Sequence, residues 1–280
     1  MQANEGKSLR IEADGEYYDR IPVKTHIITD ADTVEGVLET YVKPVLQDGD
    51  IVFMSEKAVS CTQKRAVRMK DIRPRPLAVF LSKFVYKTPY GIGLGIPETM
   101  EMALQECGTL RILFAAFVSI IGKLLGRRGW FYIIAGEKAR SIDGPCDYTL
   151  PPYNEYVVLG PVNPERTARE AAQKTGIPLF AIVDLNDLGG NILGVSDSSL
   201  DAGWLLKILR DNPLGQTSEQ TPIGIIRKAA SGDDESESAG EGARDDAPEE
   251  APQAVEEADE DSGIGAGEIP ETIQEPDEII

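Results

Sequence analysis

Histidine is almost missing from this chain: His26 is the single one in 280 residues. A Ser–His–acid or Cys–His catalytic unit would have to be built on that residue alone, and an ordinary strand or loop histidine in "VKTHIIT" is the plainer reading. The G-x-S-x-G elbow is missing too. Cysteine is scarce and odd in number, with Cys61, Cys107 and Cys146 and no C-x-x-C spacing, which excludes a disulfide framework and a zinc site. Long apolar runs are missing. The longest, "ILFAAFVSIIG" from Ile112 to Gly122, has 11 residues and stops at Lys123. A bilayer needs about 20, so this run is expected to be a core element. The N-terminal "MQANEGKSLRIEADGEYY" has no apolar stretch of the kind a secretory signal needs. A cytoplasmic protein with no membrane and no nucleic-acid partner is the expectation.

The last fifty positions hold a single basic residue, Arg244, and no aromatic. Of the 47 acidic residues, 19 lie there, between Ser231 and Ile280. The net charge of −19 therefore belongs almost entirely to this tail. Such a composition buries too little apolar surface to offset the entropy of ordering, so residues 231–280 are expected to be a disordered acidic tail behind a domain of residues 1–230. Two readings of the tail stay open: a solvated extension that aids solubility, or a docking segment for a basic partner.

Within the domain, strand and helix patterns interleave. "RIPVKTHIIT" is β-rich. Val34, Val37, Leu38, Tyr41, Val42 and Val45 recur at helical spacing, and "DIVFMS" (50–55) reads as a buried strand. Helices are predicted over 76–84 and in "IPETMEMALQECG", with Pro97 in the first turn and Gly108 as the stop. "WFYIIAG" (130–136) is predicted as a strand. Asn163 as N-cap, Pro164 at the first helical position and Gly176 at the end bracket a helix with a small face of Ala168, Ala171 and Ala172. "IPLFAIV" is the next strand, "SLDAGWLLKILRDNP" a helix stopped by Asn212-Pro213, and "TPIGIIRK" the last strand. The fold class is α+β (mixed α/β), in two lobes.

Phosphate-binding fingerprints are missing. Gly91, Gly93 and Gly95 in "PYGIGLGIPE" fit neither G-x-G-x-x-G nor G-x-x-x-x-G-K-[ST], and a structural loop is the better reading. Lys123, Arg127 and Arg128 cluster in a turn. What is present is carboxylate at strand ends. "FAIVDLNDLGGNILGVS" carries Asp184, Asn186 and Asp187 into Gly189-Gly190. An EF-hand reading fails, because position 5 would be Leu188 and position 12 would be Val195. Hard oxygen ligands at a strand end suit Mg²⁺ or Mn²⁺ held together with substrate phosphates. A second acidic loop, with Asp143 and Asp147, lies in "IIAGEKARSIDGPCDYTLPP". Lys57 in "SEKAVS" ends another apolar strand, where it can meet phosphate. Carboxylates brought together ionised need a cation between them.

The order of these pieces resembles the coenzyme F420-0:L-glutamate ligase family. "RIPV" stands for its "GIPL"-like segment, and "GDIVFMSEKAVSCTQKR" for its "GD…SKxVSKxEGR" strand and loop. "IAGEKARSIDGPCD" stands for "ANAGxDxSN", with an insertion. "VVLGPVNPERTAR" is similar to its "LLPxDPDxSAR" helix start, "IVDLNDLGGN" to its "D[ST]xGR" strand end, and "PLGQTSEQTPIGIIRK" to its closing segment. The resemblance covers roughly residues 10 to 228.

The resemblance implies a two-lobed fold with mixed sheets and an amide-forming ligation that uses GTP (or ATP) with Mg²⁺ or Mn²⁺. A substrate carboxylate would be activated for attack by glutamate or another amino acid. By position it implies nucleotide contacts from Ile21, Pro22, Val23, Lys24, Ser55 and Lys57, and metal contacts from Asp143 and from Asp184 or Asp187. It also implies a small-molecule acceptor and a homodimer. The pattern is broken at Cys146, where the family has Asn, at Leu185 or Leu188 in place of Ser/Thr, and at Asn191 in place of Arg. These departures leave open a non-catalytic nucleotide- or metal-binding protein that recruits a partner through its acidic tail.

Overall fold

In the computed structural model the described residues are 2–85, 92–127, 129–146, 149–187, 189–215 and 217–229, and they belong to one compact unit. The acidic tail, Asp147, Leu188, Gly91 and Arg128 lie outside them.

The chain opens with a hairpin of β1 (Arg10–Ala13) and β2 (Glu16–Val23). A helical turn, α1 (Val34–Val37), then widens into a π-type turn over Leu38–Val42, in which Lys43 N–H reaches back to Leu38 O at 3.0 Å. Next come β3 (Ile51–Ser55), α2 (Glu56–Thr62) and β4 (Ala66–Arg68). Five helices follow: α3 (Pro76–Ser82), α4 (Pro97–Glu106), α5 (Thr109–Leu124), α6 (Trp130–Ala135) and α7 (Glu137–Arg140). The chain then returns through β5 (Tyr156–Val158), α8 (Pro164–Thr175), β6 (Phe180–Asn186), β7 (Gly189–Val195), α9 (Ala202–Leu209) and β8 (Ile223–Lys228).

Six strands form one mixed sheet in the order β1-β2-β8-β3-β6-β7, and β4 and β5 form a separate antiparallel pair. Only β3 and β6 run parallel in the large sheet. Alternation along its central strands splits the core in two. Val52 and Met54 of β3, Phe180 and Ile182 of β6, and Ile223 and Ile225 of β8 pack with α1, α2 and α8. Phe53, Ala181, Val183 and Ile226 point to the opposite face, under α9. The period of two thus covers both faces of the sheet.

Gly224 of β8 sits opposite Phe53 in this register, and a Cβ there would lie 2.2 Å from the Phe53 ring. Gly194 of β7 plays the same part against the start of α8, where a Cβ would come within 2.4 Å of the Glu165 backbone. At the sheet margin the buried Arg20 guanidinium pairs with the Asp211 carboxylate and donates to the Ile208 and Ser8 carbonyls.

A third apolar cluster is helical. It joins Ala78 of α3, Met100 and Leu104 of α4, Ile112 and Ala115 of α5 and Ala135 of α6 to Val157 of β5. Here two sequence expectations are corrected. Residues 130–135, predicted as a strand, are a helix. The β-forming residues of "WFYIIA" are overridden by packing on α5, whose Gly122 lies so close that a Cβ would meet the Trp130 ring at 3.0 Å. The run from Ile112 to Gly122 is only partly a core element: Ile112, Ala115 and Gly122 are buried, while Phe114, Phe117 and Ile120 are exposed. Among the described residues no single helix is long and apolar enough to cross a membrane.

Other local signals are realised. Pro97 and Pro164 take the first turns of α4 and α8, and Gly176 ends α8 in the left-handed region at φ 74°. Asn163 stands at the N-cap position with φ 47° and makes no side-chain cap bond. Asp201, not singled out from the sequence, caps α9 by accepting from Trp204 N–H at 2.7 Å.

Candidate active site

The parallel pair β3 and β6 ends at the mouth of a cavity of about 770 Å³. Their register sets Ser55 beside Val183, so Glu56, where the chain leaves β3, stands level with Asp184, which continues β6 beside β7. Ligand sites at the carboxyl ends of parallel strands follow from this geometry: side chains there project beyond the packed layer into open space. Ser55 turns the chain into α2, its hydroxyl facing Ala58 N–H at 3.4 Å. This places Glu56 inward, 4% exposed, while Lys57 reaches into the cavity with about half its side-chain surface open.

The far wall comes from the helical part. Asp143 is fixed by a two-way backbone bridge to Val158, both hydrogen bonds being 2.9 Å, and its carboxylate meets the Lys57 ammonium at 2.7 Å. Two segments 86 positions apart in sequence therefore face each other across the cavity.

Electrostatics bind these groups into one set. Burial pushes the Glu56 carboxyl up to about 8, with the Asp184 and Asp143 charges adding to the rise and Lys57 opposing it. Asp184 is raised by burial and by Asp143 and Glu137, again against Lys57. Burial works against the Lys57 ammonium, but Asp143, Glu56 and Asp184 outweigh it and hold the group above its usual range. One oxygen of Glu56, Oε2, is buried without a hydrogen-bond partner. A cation amid three carboxylates, one of them partly neutralised by its own proton, is a site prepared for redistribution of charge.

The two candidate aspartates of "VDLND" are separated by this geometry. Asp184 lies within the β6–β7 ladder, opposite Asn191, and feels Lys57 and Asp143. Asp187 stands past the last ladder pair, Asn186 with Gly189, at the hairpin turn. Its carboxylate lines the cavity but bonds Lys7 Nζ at 2.6 Å. The glycine pair closes the hairpin tightly: a Cβ on Gly190 would lie 2.7 Å from the Asp184 carbonyl oxygen.

Ile21, Pro22, Val23 and Lys24 are not brought to the cavity wall. The first three pair with β8, and Ile21 is in the core. The next four residues, Thr25 to Ile28, line the cavity instead. There His26 is held between the Tyr41 hydroxyl at 2.7 Å and Asp32 at 3.0 Å, a structural clamp on the loop. Tyr153 donates to the Ile28 carbonyl at 2.6 Å and closes the same wall. Cys146, the departure from the family's Asn, also lines the cavity. Glu56 was missed by sequence reasoning; the signal available was a carboxylate directly beside Lys57 at a strand end.

A family model for F420-0:Gamma-glutamyl ligase matches residues 22–176, more than half the chain. The chain belongs to the F420-0:gamma-glutamyl ligase family. Membership carries γ-glutamyl ligase activity as the general class. No curated protein matches the chain. Ser55, Glu56, Lys57 and Asp143 of this family member fall inside the matched segment, whereas Asp184 and Asp187 lie beyond its end. The fold joins the two parts, because β6 inserts beside β3 in the sheet.

Proposed function

We propose that this cavity binds a nucleoside triphosphate with a divalent cation and joins the amino group of glutamate, or of another amino acid, to the carboxylate of a small-molecule acceptor. The single observation carrying the reading is the Lys57–Asp143 pair at 2.7 Å beside Asp184 and Glu56, at the parallel strand ends, in a chain of this ligase family.

The donor set fits a cation delivered with phosphates. Among the described residues no three carboxylate, histidine or cysteine groups already stand as a complete ligand set. Mg²⁺ is commonly held by one or two carboxylates plus substrate phosphate oxygens. Asp143 and Asp184 supply the carboxylates, and the unpartnered Glu56 oxygen adds a donor beside them. When bound, the cation would neutralise charge on the phosphates.

In the first half-reaction an acceptor carboxylate oxygen attacks the γ-phosphorus, and the bond to the nucleoside diphosphate breaks. Lys57, released from Asp143, lays its ammonium against the phosphate oxygens. In the second, the amine attacks the acyl carbon, phosphate leaves, and the nitrogen sheds a proton. Glu56, whose side chain lines the cavity beside Lys57, is placed to accept that proton when ionised. Thr25–Ile28 and Tyr153 line the cavity in which the acyl phosphate would form.

A second reading has its own support. The Lys57 ammonium already takes up the space beside Asp143, and Cys146, Leu185 and Asn191 depart from the family pattern. A protein that binds nucleotide or metal without ligation, and recruits a basic partner through residues 231–280, matches those features. Phosphorus NMR of the chain with GTP or ATP, Mg²⁺, glutamate and a panel of carboxylate acceptors separates the two. Amino-acid-dependent phosphate release supports ligation; nucleotide binding without turnover by any acceptor supports the second reading.

A further inference from the structure

The helix α5 is strongly apolar, with Arg111 and Lys123 its only charged residues, and a helix of that kind is normally enclosed. Here only a narrow strip is enclosed: Ile112, Ala115 and Gly122 face the helical core and α6. Thr109, Ala116, Val118 and Ser119 are half-buried, and the outer face forms an uncovered stripe. Leu110, Phe114, Phe117, Ile120 and Leu124 recur at helical spacing and are exposed, Leu110 by 83% and Leu124 by 82%. At 1.5 Å per residue the stripe runs about 21 Å. Leu125 in the turn and Ile133 on α6 extend it across the α5–α6 hairpin. Soluble monomers rarely leave so continuous an apolar surface without an occupant.

Charge identifies the occupant. From Cys107 to Gly136 the sequence carries Arg111, Lys123, Arg127 and Arg128 and not one Asp or Glu. Arg111, Lys123 and Arg127 are exposed, and among the described residues none of the three makes an ion pair. In residues 1–230, where acids and bases nearly cancel, this is a basic, acid-free island. A second copy meets it poorly: an isologous contact sets the same basic surface against itself, with no carboxylate within the hairpin to answer it. An anionic lipid surface offers both halves of the complement, acyl chains for the stripe and phosphate for the cations, whose stems can lie along the apolar face with the charge outward.

We infer that the α5–α6 hairpin docks this protein on anionic lipid bilayers, lying in the interface with the stripe inserted and Lys123 and Arg127 at the headgroups. The sequence expectation of no membrane partner rested on the length needed to span, and lying in the interface needs no span. The inference is independent of the ligase reading, since the cavity lies between β3, β6 and the Asp143 loop and uses no residue of α5.

Flotation of the full chain with vesicles of phosphatidylcholine, with and without phosphatidylglycerol, tests it. Binding is expected to the mixed vesicles and to fall about tenfold or more on pure phosphatidylcholine. Phe114→Asp with Phe117→Asp should lower it about 100-fold with an unchanged circular dichroism spectrum, since both side chains are exposed. Lys123→Gln with Arg127→Gln should lower it about fivefold per charge removed, as should raised salt. Failure of the wild-type chain to float with anionic vesicles overturns the inference. So does unaltered flotation of the phenylalanine variant, or a stable dimer that this variant dissociates while the wild type ignores lipid.

Discussion

The Lys57 ammonium stands 2.7 Å from the Asp143 carboxylate, although one residue follows a central strand of the sheet and the other belongs to a loop after the helical insertion. Their contact joins the two halves of the cavity, and Asp184 and Glu56 complete the set around it.

Glu56 should make stability fall with rising pH. Its folded carboxyl titrates at about 8, above the ordinary 4.5, so between those values the folded chain binds more protons than the unfolded one. Stability from this group is therefore full below about 4.5 and is lost as pH rises through 8. Glu56→Gln removes the titration. Without nucleotide or metal the variant should gain roughly 1–3 kcal/mol over wild type at pH 9 compared with pH 6. Denaturant unfolding at both pH values measures it, and an equal difference at both would contradict the burial argument.

Asp184 and Asp187 should behave differently. Asp184→Asn removes a carboxylate coupled to Lys57 and Asp143, and should weaken Mn²⁺-dependent nucleotide binding about 30-fold, the scale of a charge-assisted contact. Asp187→Asn loses a half-exposed pair with Lys7, worth no more than about 1 kcal/mol of stability, and should leave that affinity within about twofold. The reverse order, measured by titration of Mn²⁺ relaxation, would move the site to the hairpin turn.

Gly224→Ala should destabilise the sheet. The added methyl would meet the Phe53 ring at 2.2 Å in the middle of the core, and overpacking of this kind costs about 1–3 kcal/mol. A melting temperature lowered by roughly 3–10 °C is expected for a domain of this size. An unchanged value would mean that Phe53 has room to move.

Asp211→Asn should expose the cost of the buried Arg20. The guanidinium is 1% exposed, and losing its counter-charge is expected to cost roughly 2–4 kcal/mol, moderated by the part of Asp211 that faces water. Chemical denaturation reads this directly; a loss below about 0.5 kcal/mol would show that the carbonyls of Ser8 and Ile208 suffice.

How much of this was legible in the sequence depended on whether the signal was local. Pro97, Pro164 and Gly176 mark helix ends by backbone chemistry that acts within a few residues, and the structure places the ends there. The strand at 51–55 and the strand after Pro178 are recognisable as apolar runs, but not as parallel neighbours, since β8 and β6 join β3 across long stretches of chain. That pairing brings Glu56 level with Asp184, so Glu56 stayed unnoticed beside Lys57. "WFYIIA" misleads because its aromatic and β-branched residues favour a strand in isolation, while contact with α5 makes it a helix. The acidic loop at Asp143 and Asp147 was legible in the sequence and the family resemblance pointed to Asp143, but its bridge to Val158 needed the fold.

The most direct test of the central claim is calorimetry of GTP and ATP binding with Mn²⁺ on the wild-type chain and on Asp143→Ala. The account predicts metal-dependent binding of one nucleotide by the wild type, weakened about 30-fold or more by the substitution. Binding of neither nucleotide, or metal-dependent binding that Asp143→Ala leaves unchanged, would contradict it.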